Sequence, residues 1–461
     1  MTTPLPDYHN GSFWFDSLDD LTPPEISGPL PDQVDVAIIG AGFTGLWTAY
    51  YLKRNNPQLH VAIFEAVVVG FGASGRNGGW CMGIAEGITG MLAQPKLRAS
   101  GLELLSAMQD TVDEVGRVCQ AENIDCHYQK GGTLTVATQA FSTAAMQAYV
   151  ASLHQLGLTE EDYRWLSATE SQARLNCATN HGAIYTSHCA AIHPARLVRG
   201  LADVVRGMGV AIYEGTPVLE IGDRCIDTTR GKVTTDVILR ATEGYTDSIP
   251  SQKRQLMPLY SMMVATEPLP ESLWEDIGLN QRETFGDGRR VVIYGQRTAD
   301  NRFAFGGRAG YYFGSKRKAV IPPGDPALGQ VEQTLRTLFP QLDGYAVSHR
   351  WGGLMGVPRH WRPSVSYDTQ TGLGAAGGYT GEGVAASNLA GRILADLVSG
   401  VNSPLTDLAW VNDTARRWEP EPLRWLGARA IEFFGERADR SEIHNNRPSR
   451  FWGPLFDGLT R

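Results

Sequence analysis

No pair among the six cysteines, Cys81, Cys119, Cys126, Cys177, Cys189 and Cys225, has C-x-x-C spacing. Zinc ribbons and thioredoxin-type motifs therefore lack support, and no metal site is expected. A disulfide framework is not needed either, because 461 residues can bury a large core. The first thirty residues are polar and proline-rich with no apolar signal-like stretch, so a reducing cytoplasm is the expected location. Long apolar runs are scarce. The longest, Val36 to Leu52, is too short to span a bilayer and is broken by Gly40-Ala41-Gly42, so stable membrane insertion is not expected. Positive charge is not in excess: 41 Lys and Arg face 49 acids, a net charge of −8, which argues against nucleic-acid binding. Internal repeats and low-complexity tracts are missing as well. What the chain has in plenty is glycine, 52 residues gathered in a few short stretches. Such clusters suit backbone packed closely against a ligand.

Residues 1–33 read as an extended leader. The run Val34-Asp35-Val36-Ala37-Ile38-Ile39 then suits a buried parallel strand. It meets Gly40-x-Gly42-x-x-Gly45, after which Leu46 to Lys53 continues as a helix. A second strand, His60 to Phe64, ends at Glu65. Further along, 99–122 has helical periodicity, Gly132 to Ala137 alternates like a strand, and Leu197 to Met208 reads as a helix. Val218-Leu219-Glu220-Ile221 and Lys232-Val233-Thr234-Thr235 are expected to form a hairpin. Residues 285–312 alternate as in an antiparallel sheet, and a helix is expected from Val384 to Leu397. The tail, 401–461, carries four tryptophans among mixed charges and reads as packed helix.

The first motif has a physical reading. Gly40 permits a tight turn, Gly42 lets backbone approach a pyrophosphate, and Gly45 lets helix and strand pack closely. Phe43 and Thr44 open the helix, whose free N–H groups and dipole favour anions. Glu65, with Ala66 behind it, is placed to accept hydrogen bonds from a ribose. The segment Gly70-Phe71-Gly72-Ala73-Ser74-Gly75-Arg76-Asn77-Gly78-Gly79 follows closely. Half of it is glycine, so it can wrap a pyrophosphate and a flavin edge, with Ser74, Arg76 and Asn77 as donors.

Together with Gly377-Gly378-Tyr379-Thr380-Gly381-Glu382-Gly383, these motifs resemble FAD-dependent amine and amino-acid oxidases of the D-amino-acid oxidase family. Within it the chain resembles the glycine and sarcosine oxidase group, and most closely the γ-glutamylputrescine oxidase branch, which carries a similar Gly-Phe-Gly-Ala-Ser-Gly-Arg-Asn-Gly-Gly stretch. The resemblance implies an α/β fold. A discontinuous Rossmann-like FAD-binding domain (34–85, 191–245 and 346–400) would join an antiparallel-sheet α+β substrate domain (86–190 and 246–345), with 401–461 as a helical extension. It implies FAD as cofactor, with Gly72, Ala73, Gly75, Gly78, Gly79, Pro217, Val218, Ala241, Thr242 and Gly352 added to the cofactor residues above. Gly378, Tyr379, Thr380, Gly381, Glu382, Gly383 and Val384 would place helix-terminal amides against the flavin N1/C2=O edge.

The implied chemistry is oxidation of a C–N bond by hydride transfer to flavin N5, with hydrolysis of the imine and reoxidation by O2 to give H2O2. The substrate would be an alkylamine, polyamine or amino-acid derivative. An amino-acid dehydrogenase with another electron acceptor, and a non-catalytic nucleotide-binding protein, stand as alternatives. The oligomeric state is left open. The chain departs from the family in places. Ala385 stands where sarcosine oxidases carry a lysine for the substrate carboxylate, no lysine occupies Phe303 to Arg308, and Glu243 replaces the usual Gly or Asn. Leu354 and Met355 replace a flavin-linking cysteine. Arg308, Tyr294, Tyr260 and Met355 are the expected flavin-side or pocket residues, with Met262 and Arg297 as further candidates. His193 is expected to be a turn residue rather than a base.

Overall fold

The computed structural model describes Tyr8, residues 11–18 and residues 28–460. Val34, Val36, Ile38 and Ile39 bury the strand Gln33–Ile39, which pairs in parallel with Val61–Phe64 on one side and Gly231–Arg240 on the other. Ala211–Tyr213 and Leu373–Gly377 extend the parallel series, and Ser364–Asp368 adds an antiparallel edge. Strands buried on both faces are apolar throughout, which is why these runs do not alternate. The helices Phe43–Asn55, Pro194–Gly207 and Gly383–Ser399 cover one face and share a core around Leu46, Trp47, Leu201 and Leu389. Ala37, Ile39, Phe64, Ile226 and Val233 form the core on the other.

A second eight-stranded sheet runs Val347–Pro358, Leu256–Thr266, Phe303–Gly310, Ile293–Arg297, Thr284–Asp287, Thr133–Val136, Ala183–Thr186 and Tyr163–Leu166. It is antiparallel except where Thr284–Asp287 meets Thr133–Val136. One face packs on the helix Pro326–Leu338 through Phe285, Phe303, Phe305 and Leu335. The chain is thus mixed α/β, with a parallel nucleotide-type sheet beside a largely antiparallel one.

Three expectations are corrected. The strand Val347–Pro358, assigned to the cofactor unit, is hydrogen-bonded along its length to Leu256–Thr266 in the second sheet. The expected hairpin is a three-stranded meander, because Cys225–Thr228 lies between Val218–Gly222 and Gly231–Arg240. The leader is not simply extended: Phe13–Asp16 is a helical turn capped by Ser12, with Phe13, Trp14 and Phe15 buried. The rest of its described part leads into Gln33, and 1–7, 9–10 and 19–27 lie outside the described residues. Among the described residues no helix is long and apolar enough to cross a membrane.

Candidate active site

The register of the first sheet gathers the motifs. Ile39 pairs with Phe64 and with Arg240, and Arg240 pairs with Ala375. The strands therefore finish together, and the residues that follow them, Gly40, Glu65, Ala241 and Gly378, share one edge. This is where open α/β sheets bind ligands.

At that edge backbone meets backbone. A Cβ at Gly45 would lie 2.1 Å from Gly40 O, and one at Gly40, where φ is +105°, would lie 2.6 Å from Ala241 O. Gly42 starts the helix with no side-chain cap. Ser74 closes over it, accepting the Phe43 N–H at 2.8 Å, and a Cβ on Gly42 would meet Ser74 Oγ at 2.9 Å. Glu65 accepts the Ala41 N–H at 2.8 Å and the Val67 N–H at 2.9 Å. Burial pushes its carboxyl up to about 7 against the pull of those amides. Thr216 N–H bonds Glu65 O at 2.8 Å, which brings Pro217 and Val218 alongside.

The glycine-rich loop is held from several directions. Ser12 Oγ donates to Gly75 O and Trp14 Nε1 to Asn77 O, each at 2.8 Å. Trp351 Nε1 donates to Arg76 O at 2.9 Å. Gln296 Nε2 donates to Gly78 O at 2.7 Å and Gly79 O at 3.2 Å. Sequence reasoning missed the leader's part; the aromatic run Phe13-Trp14-Phe15 was the available signal. Two of the expected donors also make contacts inside the protein. Arg76 is 2% exposed, packs over Phe71 and donates to Ala319 O at 2.9 Å. Asn77 folds back on Ala73 and Ser74 and accepts the Gly79 N–H at 2.7 Å. Arg76 Nε and Nη2 are buried with no acceptor in the protein, whereas the Asn77 amide is taken up within its own loop.

The turn 377–383 is built on Glu243. Its carboxylate accepts N–H groups from Gly378 at 2.7 Å, Tyr379 at 3.3 Å and Gly356 at 3.4 Å. The Gly378 and Tyr379 amides, expected to face a flavin edge, are therefore committed to this side chain. Tyr379 and Thr44 share a buried 2.8 Å hydrogen bond, which ties turn to helix, and Val384 is buried behind it. Thr380 donates to Trp361 O at 3.2 Å. Glu382 heads the helix Gly383–Ser399 with no side-chain cap bond. Its carboxyl is raised to about 7, first by burial and then by the charge of Glu86.

Beside this turn, Tyr294 hydrogen-bonds Ser261 at 2.7 Å, and its ring fills the position a Cβ on Gly78 would need. The Trp80 ring lies 6.1 Å away. Met355 Sδ is 3.8 Å from where a Gly381 Cβ would stand. Tyr294 and Met355 are thus brought to the cofactor segments; three other candidates are not. Tyr260 is a core residue, 1% exposed, whose hydroxyl bridges Lys318 N and O. Met262 packs in the same core. Arg297 pairs with Glu271 at 2.6 Å over Trp274. A Cβ on Gly352 would meet Ile321 and Met262 of that core. Thr242 bonds Thr246 at 2.9 Å. The side chain of Arg308 lies outside the described residues. His193 caps the helix Pro194–Gly207 through Arg196 N–H, and burial drives its imidazole down to about 3, which suits a neutral turn residue.

The arrangement fits a dinucleotide: a helix terminus whose N-cap is a glycine, a serine hydroxyl over it, strand, turn and helix at backbone contact distance through Gly40 and Gly45, and a carboxylate at the second strand's end. Comparison with known proteins agrees. The model of the family described as FAD dependent oxidoreductase (DAO) matches residues 35–397. A probable oxidoreductase OrdL of Rhizobium meliloti is 30% identical over 81% of this chain and 85% of its own length. Gamma-glutamylputrescine oxidoreductase of Escherichia coli is 28% identical over 79% and 84%. The crystal structure of glycine oxidase from Geobacillus kaustophilus superposes with a TM-score of 0.68 at 20% identity, covering 85% of this chain and all of that one.

Proposed function

We propose, from the premise that this chain belongs to the DAO family of FAD-dependent oxidoreductases, that it oxidises the C–N bond of a small cationic amine. Molecular oxygen would be the final acceptor, giving hydrogen peroxide. Bound FAD supplies the electron sink for hydride removal from the carbon beside nitrogen. Gly40, Gly42, Gly45 and Ser74 would hold its pyrophosphate and Glu65 its ribose. The turn from Gly378 to Gly383 and the Tyr294–Ser261 pair would border the ring.

The observation that carries the substrate class is Glu382. It is half-buried at the head of its helix with no side-chain cap bond, Met355 lies close to Gly381, and the Trp361 carbonyl is bonded to Thr380 of the same turn. A half-buried carboxylate without a cation partner among its described contacts suits an ammonium group. Ala385, by contrast, is fully buried in the helix and offers nothing to a substrate carboxylate. Six free, buried cysteines suit the reducing cytoplasm proposed for it.

The test is an anaerobic visible spectrum of the flavin-loaded protein titrated with amines, including γ-glutamyl derivatives of diamines and N-methyl amino acids. Bleaching by one amine that reverses promptly in air with release of peroxide is expected. Reversal only with an artificial dye would make the enzyme a dehydrogenase. If no amine bleaches the flavin, the amine reading fails.

A pH dependence follows. The Glu382 carboxyl is protonated below about 7 and charged above it, so KM for a cationic amine should fall as pH rises through that value. In Glu382→Gln that limb should vanish. At a pH above the transition KM should rise about tenfold, because a hydrogen bond to a charged group contributes ~1.5 kcal/mol. An unchanged KM–pH curve in the variant would remove Glu382 from amine recognition.

A further inference from the structure

We infer that the C-terminal extension is part of the substrate site: it clamps the loop that carries Trp361 and walls the cleft beside Met355, and so selects the amine by side-chain size. The inference rests on the amine-oxidising reading above. The family match ends at residue 397, and the chain beyond it returns to the site with specific contacts.

Two tail carboxylates hold the two arginines that flank Trp361. Asp413 binds Arg362 at 2.9 Å, and Glu419 binds Arg359 at 3.2 Å through both its oxygens. Trp361 itself sits at φ +62°, a conformation a bulky residue adopts only when its surroundings impose it. Its carbonyl accepts the Thr380 hydroxyl, and its indole N–H is buried with no acceptor in the protein. The tail therefore reaches the turn 377–383 through a single loop. The Arg362 side chain also fills the position a Cβ on Gly87 would need, next to Glu86.

The same tail closes the neighbouring sheet face. Trp418 is 6% exposed, donates its indole N–H to Val357 O at 2.7 Å, and packs with Met257, Leu259 and Tyr311. Met355, Trp361 and Trp425 rest on that cluster. A polar anchor fixes the register. Glu421 accepts from the Tyr311 hydroxyl, from Gly314 N–H at 3.1 Å and from Trp425 N–H at 3.1 Å. Arg424, 6% exposed, bridges Glu421 at 3.2 Å and Asp247 at 3.4 Å. A guanidinium buried against two carboxylates is costly to displace, so this segment has one fixed position. A loosely attached appendage would leave such groups in water.

The experiment uses the flavin-loaded full chain and a homologous series of linear amines from propyl to octyl. Trp425→Ala is expected to raise kcat/KM for the longest relative to the shortest amine by about tenfold, the worth of a few methylenes of newly opened contact. Trp425→Phe should restore the parent selectivity. The double variant Asp413→Asn with Glu419→Gln leaves packing intact and should shift the same ratio in the same direction. Flavin content and visible spectrum should stay unchanged in all three. A readout free of any amine accompanies it: iodide quenching of flavin fluorescence should strengthen in Trp425→Ala and in the double variant. Equal changes for every amine, loss of flavin, or unchanged quenching would make the tail merely structural and overturn the inference. If the parent protein oxidises no amine, the functional reading fails, while the quenching result still decides whether the tail walls the flavin cleft.

Discussion

Protein with alanine at position 45 is expected to purify without flavin. The new Cβ would stand 2.1 Å from Gly40 O and 3.2 Å from the Ile38 side chain. Both neighbours belong to the strand and turn that define the cradle, and neither is the free end of a flexible side chain. The helix Phe43–Asn55 must move away from the sheet, and with it the terminus that would face the pyrophosphate. Overpacking of this kind costs roughly 1–3 kcal/mol in stability. The loss of binding should be larger, because the cradle works only at backbone contact distance. The ratio of flavin to protein absorbance after purification checks it, and a drop of tenfold or more is expected. Gly207→Ala is the control: a Cβ there meets nothing within 4 Å, so flavin content should equal that of the parent. Full flavin in Gly45→Ala would mean that the cofactor does not use this turn.

Glu243→Gln is expected to destabilise the fold by about 3 kcal/mol at pH 5, and by less as pH rises through 7, through three buried amides left with a poor acceptor. The carboxylate joins Gly356 of the second sheet to Gly378 and Tyr379 of the first. An amide side chain turns a donor toward at least one of these N–H groups. The residue also holds φ at +40°, a strain that only a well-satisfied site sustains. Its pKa adds a signature. Burial raises the folded-state value from 4.5 to about 7. The folded state therefore holds the proton more tightly, and this stability is full below 4.5 and lost as pH rises through 7. Glu65 and Glu382 act in the same direction. Urea midpoints of the flavin-free protein should fall between these pH values, and the slope should be shallower in Glu243→Gln. Identical midpoints for variant and parent would show that the turn stands without Glu243.

The parts legible in the sequence are those whose chemistry is local. A β-branched run, a turn that only glycine permits and a carboxylate at the end of the next strand lie within a few dozen residues, and each constrains its own backbone. The helix Pro194–Gly207 and the turn role of His193 follow the same logic. Pocket candidates read less well. Tyr260 and Tyr294 are both tyrosines on neighbouring parts of one sheet, yet one lies in the core and the other at the glycine-rich loop. Alternation along a strand says that successive side chains point to opposite faces, but not which face holds the ligand.

By itself, then, the sequence determined a dinucleotide-type turn, its parallel strands and the positions of its glycines, because sterics and hydrogen bonding act there between near neighbours. Only the tertiary structure decided where the long polar side chains go. Arg76 and Asn77 turn inward to brace the loop, Glu243 bridges two sheets, the leader's Trp14 pins Asn77, and Glu421 anchors the tail through Tyr311. Apart from the Asn77 side chain, which folds back on its own loop, each of these groups pairs with a partner supplied by a distant segment. Burial makes that pairing compulsory, since a polar group removed from water must find its partner wherever the fold brings one.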